Sequence, residues 1–255
     1  MKNLFLNTNT TIAIIGFGRF GSLLVSVLLK ESKSKLIVIS SKKVALVHKN
    51  LVVGSMNRVQ DADVIIPCVP ISSFETVIKQ MAKFVKKEAI VIDVCSVKTL
   101  PVDIMKTNLP ITTQIVASHP MFGPDSYRIK KTLHGLRLVI CNISAKNNTY
   151  QQLRSFFQSL GLVTIELSPK NHDKLMAFSL GYSYFVGKIG QRMGIRKTPI
   201  DTHDFHLLLE NISIVKSDSE QLFFDMQTKN PFAKDMLTKV NKTVSNLLDE
   251  VEQRR

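Results

Sequence analysis

Residues 11–16, Thr-Ile-Ala-Ile-Ile-Gly, run straight into Phe17-Gly18-Arg19-Phe20-Gly21 and then into an apolar-faced stretch at 22–30. No other feature constrains the fold as strongly. A short β-branched run without polar alternation reads as a strand buried on both faces, as in a parallel sheet. Glycines at 16, 18 and 21 give the spacing G-x-G-x-x-G between a strand and a helix. Gly16 permits the tight turn, Gly18 lets the backbone approach a pyrophosphate, and Gly21 lets helix and strand pack closely. The helix start adds N–H donors and positive potential. Gly16, Phe17, Gly18, Arg19, Phe20 and Gly21 are therefore the expected dinucleotide cradle; a glycine turn without a ligand is the bland alternative.

Further apolar runs at 36–39, 63–67, 89–93, 115–117, 138–140 and 162–165 read as strands. Helical stretches at 72–86 and 150–160, and one after Thr99-Leu100-Pro101, separate some of them. Strands alternating with helices predict an α/β fold with a Rossmann-like, mostly parallel sheet. The texture changes at Ser168-Pro169-Lys170-Asn171, and everything beyond reads as helix. Asn171 is the expected N-cap of a helix over 172–193. A second helix is expected over 202–228, and Pro231 opens a third. The expected domains are residues 1–168, binding a dinucleotide, and 169–255, an all-helical domain for substrate and dimerisation.

Composition removes several classes. The 255 residues are 44% hydrophobic, enough for a core. No apolar run approaches the roughly 18 residues of a membrane span. The start at residues 1–7 turns polar too early for a signal peptide. Cys68, Cys95 and Cys141 show no CxxC spacing, which speaks against a disulfide framework or a zinc site and for a reducing cytoplasm. His48, His134, His203 and His206 show no metal-ligand spacing with a third partner. Lysine and arginine number 34 against 20 acids, a net charge of +14. The basic residues are scattered and there is no tryptophan, so an anionic small molecule is expected rather than nucleic acid.

The strand ends carry the chemistry, because ligands of open α/β sheets bind at their carboxyl edge. A site for NAD usually presents an acid at the end of the second strand. Here that place holds Ser40-Ser41-Lys42-Lys43, hydroxyls and cations that suit a 2′-phosphate, so NADP is expected over NAD. Pro67, Val69 and Pro70 form a rim against the cofactor, and Cys68 between them reads as a small buried thiol. Asp93-Val94-Cys95-Ser96-Val97-Lys98 brings a hydroxyl and an ammonium to the same edge, suited to an oxygen-rich anion. A capped turn is the other reading of Ser96 and Lys98. His119, between a strand end and the Pro-rich stretch Pro120-Met121-Phe122-Gly123-Pro124, is placed for acid–base work; a structural histidine is the alternative.

Taken together, Gly16–Gly21, the Asp93–Lys98 stretch and Ser118-His119-Pro120-Met121-Phe122-Gly123-Pro124 resemble the prephenate/arogenate dehydrogenase family of tyrosine biosynthesis. Residues 171–177, Asn-His-Asp-Lys-Leu-Met-Ala, resemble it too. The resemblance implies oxidative decarboxylation of a cyclohexadienol to tyrosine or 4-hydroxyphenylpyruvate. It implies that His119 takes the ring hydroxyl proton, and that Ser96 bonds that hydroxyl or His119. It also implies a homodimer paired through a helical domain too thin to bury its own faces, with the active site in the cleft between the domains. Two departures stand out. Ser183 occupies the place of an expected histidine, and residues 211–218 lack the arginine of prephenate-specific members, with Ser213 nearest to it and Lys216 one turn away. The missing cation favours arogenate, whose amino group offsets a carboxylate. Lys188, four residues from Arg192 on one helix face, is a further candidate for a substrate carboxylate. Met176, Phe178, Phe185 and Met193 read as core. A related small-acid or imine reductase, and a nucleotide-binding regulatory module without turnover, are the competing assignments.

Overall fold

The protein is described by a computed structural model over residues 10–255. The reading of residues 1–7 as no signal peptide, and the start of the first domain, lie outside the described residues. The chain divides into two compact units, one running to Pro169 and the other from Lys170 to Arg255.

The first unit is built from β1 (Thr11–Ile15), α1 (Arg19–Glu31), β2 (Lys35–Ile39), β3 (Leu51–Gly54), a 3-10 turn (Met56–Asp61), β4 (Val64–Pro67) and α2 (Ile71–Ala82). It continues with β5 (Ile90–Asp93), α3 (Thr99–Asn108), β6 (Gln114–Pro120), α4 (Pro124–Lys130), β7 (Arg137–Asn142), α5 (Asn147–Ser159) and β8 (Val163–Glu166). The eight strands form one sheet in the order β3-β2-β1-β4-β5-β6-β7-β8. Strands β1 to β6 pair in parallel, β7 runs antiparallel to β6, and β8 is parallel to β7. The order reverses between β1 and β4, which makes the crevice beyond their carboxyl ends the switch point.

Alternation along the buried strands feeds two cores. Ala13, Ile15 and Val91 join Phe74, Ile78 and Met105 from α2 and α3 on one face. Ile12, Ile14 and Ile92 join Val25, Leu28, Leu153 and Phe156 from α1 and α5 on the other. Covering both faces explains why Ile12–Ile15 and Ile90–Ile92 are apolar at every position. Strand β3 falls outside the sequence reading, since it is a four-residue edge with Val52 and Val53 about half exposed. Helix α2 stops at Ala82 instead of residue 86, because Phe84 and Val85 turn inward against the core. Helix α4 also falls outside the sequence reading; Pro124 opens it, a position where the missing N–H costs nothing.

The second unit comprises α6 (Pro169–Met176), a π-helical turn (Ala177–Gly181), α7 (Tyr182–Arg192), α8 (His203–Ser217), α9 (Glu220–Lys229) and α10 (Ala233–Glu252). Asn171 is not an N-cap, since α6 already begins at Pro169. The single helix expected over 202–228 is two. Asp218 is extended, and the Ser219 hydroxyl accepts the Leu222 N–H to start α9 afresh. Phe178 and Met193, expected as core, lie 48% and 70% exposed, while Met176 is buried. Among the described residues no helix is long and apolar enough to cross a membrane.

Candidate active site

Parallel pairing sends the ends of β2, β1, β4, β5 and β6 to one edge. Gly16, after β1, adopts φ +103°, and a Cβ there would stand 2.3 Å from the Cys68 carbonyl oxygen. A Cβ on Gly21 would meet the Gly16 carbonyl oxygen at the same distance. The fold itself therefore demands both glycines. Gly18 differs. Its backbone is extended, and a Cβ there would meet no atom within 4 Å. Nothing in the protein requires a glycine at 18, so the requirement points outward, to a group that approaches the backbone. The first-turn N–H groups of α1 lack intrahelical acceptors by geometry and face the same way as that approach demands. These residues fit a dinucleotide pyrophosphate.

Around the cradle, Ser40 is half-buried and its hydroxyl accepts the Lys42 N–H at 2.9 Å, while Ser41, Lys42 and Lys43 are exposed. No acid stands at this strand end. Pro67 pairs with Ile15, the Cys68 N–H donates to the Ile15 carbonyl at 2.7 Å, and Pro70 precedes α2. Val69 Cγ1 would lie 3.1 Å from a Gly16 Cβ, so this rim closes directly on the glycine turn. Burial pushes the Cys68 thiol up to about 12, which leaves it protonated and unfit as a nucleophile. The Arg19 guanidinium contacts Asp125 at 2.5 Å, so the cation read beside the phosphates also ties α1 to α4.

The Asp93–Lys98 stretch departs from its sequence reading. Lys98 was expected to meet substrate, but its side chain is 1% exposed and its ammonium contacts the Asp93 carboxylate and, at 2.5 Å, the Ser118 carbonyl oxygen. The cation is enclosed by these protein partners. Asp93 also accepts the N–H groups of Cys95 and Ser118, each at 3.2 Å, and the Ser118 hydroxyl donates to the Asp93 carbonyl at 2.6 Å. Loss of water raises the Asp93 pKa, opposed by the Lys98 charge and these hydrogen bonds. Ser96 is different again. Its hydroxyl is buried and has no hydrogen-bond partner among the described residues, leaving donor and acceptor for a ligand oxygen. His119 lies in β6 opposite Val139 and is 6% exposed. His119, near the end of β6, and Ser96, just after β5, thus belong to neighbouring parallel strands at the edge that carries the glycine turn.

In the helical unit the expected substrate residues already have partners. The Ser183 hydroxyl donates to Asn211 Oδ1 at 3.2 Å, and Asn211 Nδ2 donates back to the Ser183 carbonyl at 3.0 Å. The Lys188 ammonium stands 3.3 Å from Glu220 and 5.7 Å from the Phe223 ring centroid, with its side chain 12% exposed. These contacts join α7 to α8 and α9. Lys216, in the last turn of α8, is exposed.

Residues 30–166, more than half of the chain, match the family described as prephenate dehydrogenase, nucleotide-binding domain. The chain belongs to the prephenate dehydrogenase family. This is a family of oxidoreductases, and the match contains the Asp93–Lys98 stretch and His119. Residues 189–255 match a second description, TYRAAT1-like, C-terminal domain. Arogenate dehydrogenase 2, chloroplastic, of Arabidopsis thaliana is 26% identical over 251 residues, covering 94% of this chain and 69% of that protein. Arogenate dehydrogenase 1, chloroplastic, of the same plant is 29% identical over 247 residues, covering 92% of this chain and 38% of its own length. The chain therefore spans about two thirds of one curated relative and well under half of the other. The solved prephenate dehydrogenase from A. aeolicus, in complex with hydroxyphenyl propionate and NAD+, superposes with a TM-score of 0.72 at 16% identity, over 96% of this chain and 91% of that one. At such identity the likeness is one of fold.

Sequence reading missed one fully enclosed polar feature, the Asp93–Lys98 pair. An acid and a lysine five apart around a strand end look like a solvated turn until the sheet buries them. The one available signal was Asp93 itself, an acid closing a wholly apolar strand.

Proposed function

We propose that this chain catalyses the NADP-linked oxidative decarboxylation of arogenate to tyrosine, with prephenate the alternative substrate. His119 acts as the base. It takes the proton from the ring hydroxyl as the hydride leaves the same carbon. The bond from the ring to its carboxylate then breaks, carbon dioxide departs, and the ring becomes aromatic. Recovery of aromaticity drives the step, so the protein need supply mainly one base, orientation and a dry site. When bound, the nicotinamide accepts the hydride. Ser96 donates to, or accepts from, the reacting hydroxyl and sets its angle to His119.

The single observation that carries this reading is the shared edge: a glycine turn whose Gly18 faces no protein atom, beside Ser96 with its unpartnered hydroxyl and the His119 strand end. Gly16, Phe17, Gly18, Arg19, Phe20 and Gly21 hold the pyrophosphate in this proposal, and Ser40, Ser41 and Lys42 the 2′-phosphate. Pro67, Val69 and Pro70 line the nicotinamide side. The preference for arogenate rests on the absence of an arginine over 211–218, where exposed Lys216 is the remaining cation. A second copy of the chain covers the apolar side chains that the helical unit leaves exposed, Val244, Leu247, Leu248 and Val251 on α10 among them. Three thiols outside any disulfide suit a reducing compartment such as the cytoplasm.

His119→Asn tests the chemistry. Turnover is expected to fall by about three orders of magnitude or more, at the upper end of what a general base contributes, while NADP affinity holds. Unchanged turnover would remove His119 from the mechanism.

A further inference from the structure

The Asp93–Lys98 ion pair is buried, its side chains 0% and 1% exposed. Replacing such a pair by well-packed apolar side chains is often neutral or stabilising, so stability alone does not account for it. The partners of this pair are specific. The Lys98 ammonium holds the Ser118 carbonyl oxygen at 2.5 Å, and Asp93 Oδ1 accepts the Ser118 N–H at 3.2 Å. The Ser118 hydroxyl returns to the Asp93 carbonyl at 2.6 Å. Every polar group of Ser118 is thus bonded to one of these two residues, and the carbonyl held by Lys98 belongs to the peptide that joins Ser118 to His119. On the other side, Asp93 Oδ2 accepts the Cys95 N–H at 3.2 Å, one residue before Ser96. Regular β5–β6 pairing ends at Asp93 and Ala117. Side chains take over beyond that point.

We propose that Asp93 and Lys98 are positioning residues, a two-sided clamp that fixes the backbone of His119 and of the Ser96 turn at one relative geometry. The clamp rests on the reading of His119 and Ser96 as the reacting pair. Its charges serve the backbone. An apolar pair of equal volume would fill the space but leave the Ser118 amide and carbonyl and the Cys95 amide unpaired in a dry place. Those peptides would then rotate toward other partners. A displacement near 1 Å in a reacting group can cost about a hundredfold in rate.

The test is the double variant Asp93→Asn/Lys98→Met beside Lys98→Met alone. Lys98→Met leaves a buried carboxylate without its cation and is expected to lose much thermal stability. The double variant removes both charges and is expected to regain most of it. A clamp predicts that kcat in the refolded double variant stays about 10–100-fold low, with the Kd for NADP unchanged. It also predicts that the His119 Cε1–H resonance, assigned by its loss in His119→Asn, moves in position and in titration midpoint. A purely structural pair predicts that kcat and the resonance return with stability, and that result would overturn the proposal. If the double variant does not fold, Asp93→Asn carries the same comparison, since it is isosteric and still accepts the Ser118 N–H. Wild-type protein inactive on both substrates would defeat the proposed function but not the clamp, which the His119 resonance judges by itself.

Discussion

The sheet unit and the helical unit spend their apolar residues differently. In the first, β1, β4 and β5 are buried almost end to end, and helices cover both faces. In the second, buried apolar side chains are few, among them Met176, Ile212, Val215, Phe223 and Met236, while Leu175, Phe178, Met193, Leu247 and Leu248 stand exposed. One unit is closed by its own topology. The other carries apolar stripes that call for another surface. The polar groups differ as well: the Ser96 hydroxyl at the sheet edge has no hydrogen-bond partner among the described residues, whereas Ser183 and Lys188 of the helical unit are engaged with neighbours on other helices.

The sharpest way to break that contrast is inside the sheet unit. Lys98→Met should cost about 3–5 kcal/mol of unfolding free energy, the usual penalty for orphaning one member of a buried ion pair, measured by urea denaturation. A loss below about 1 kcal/mol, the ordinary worth of an exposed pair, would mean that water reaches the site. Next come two glycines of one turn. Gly16→Ala must place a Cβ against the Cys68 carbonyl at positive φ, and should cost about 3 kcal/mol. Gly18→Ala meets no protein atom and should leave stability within about 0.5 kcal/mol of wild type. The same substitution should weaken NADP binding at least about tenfold, equivalent to roughly 1.4 kcal/mol. Equal NADP affinity in Gly18→Ala would show that no ligand approaches that backbone. The smallest effect on the fold belongs to the helical unit. Leu247→Glu/Leu248→Glu should barely alter the folded chain at the secondary-structure level, yet halve the mass seen by light scattering. A mass unchanged by the two charges would remove α10 from the proposed dimer interface.

Legibility in the sequence divides along the same line. The β1–glycine–α1 junction could be read because its constraints are contiguous: a turn, a close approach and a helix start follow one another within a dozen residues. The central strands announced themselves by unbroken β-branched runs. Strand β3 did not, since an edge strand with exposed valines has neither a full apolar run nor clean alternation. In the helical unit, periodicity located helices but not their breaks. The restart at Ser219 was written in the sequence as a serine N-cap followed by an acid in the first turn, Glu220, and was masked by continuous apolar spacing. The π-helical turn at Ala177–Gly181 has no such signal. It shifts the register in front of Ser183, and Gln227 Nε2 donates to the Gly181 carbonyl at 2.8 Å, a contact that only the folded unit creates. Burial was the other invisible quantity. Lys98 and Ser96 lie two residues apart in one motif, yet the lysine is locked to Asp93 while the buried serine hydroxyl has no hydrogen-bond partner among the described residues.

The central claim is a reaction, and one measurement addresses it directly: the appearance of reduced nicotinamide absorbance with purified protein in four mixtures, NADP or NAD with arogenate or prephenate. The account predicts turnover with arogenate and NADP above the other three pairings, accompanied by release of carbon dioxide. Turnover mainly with prephenate would contradict the arogenate preference and turn attention to Lys216 as the replacement cation. Absence of turnover in all four mixtures, with NADP bound, would contradict the proposed activity itself.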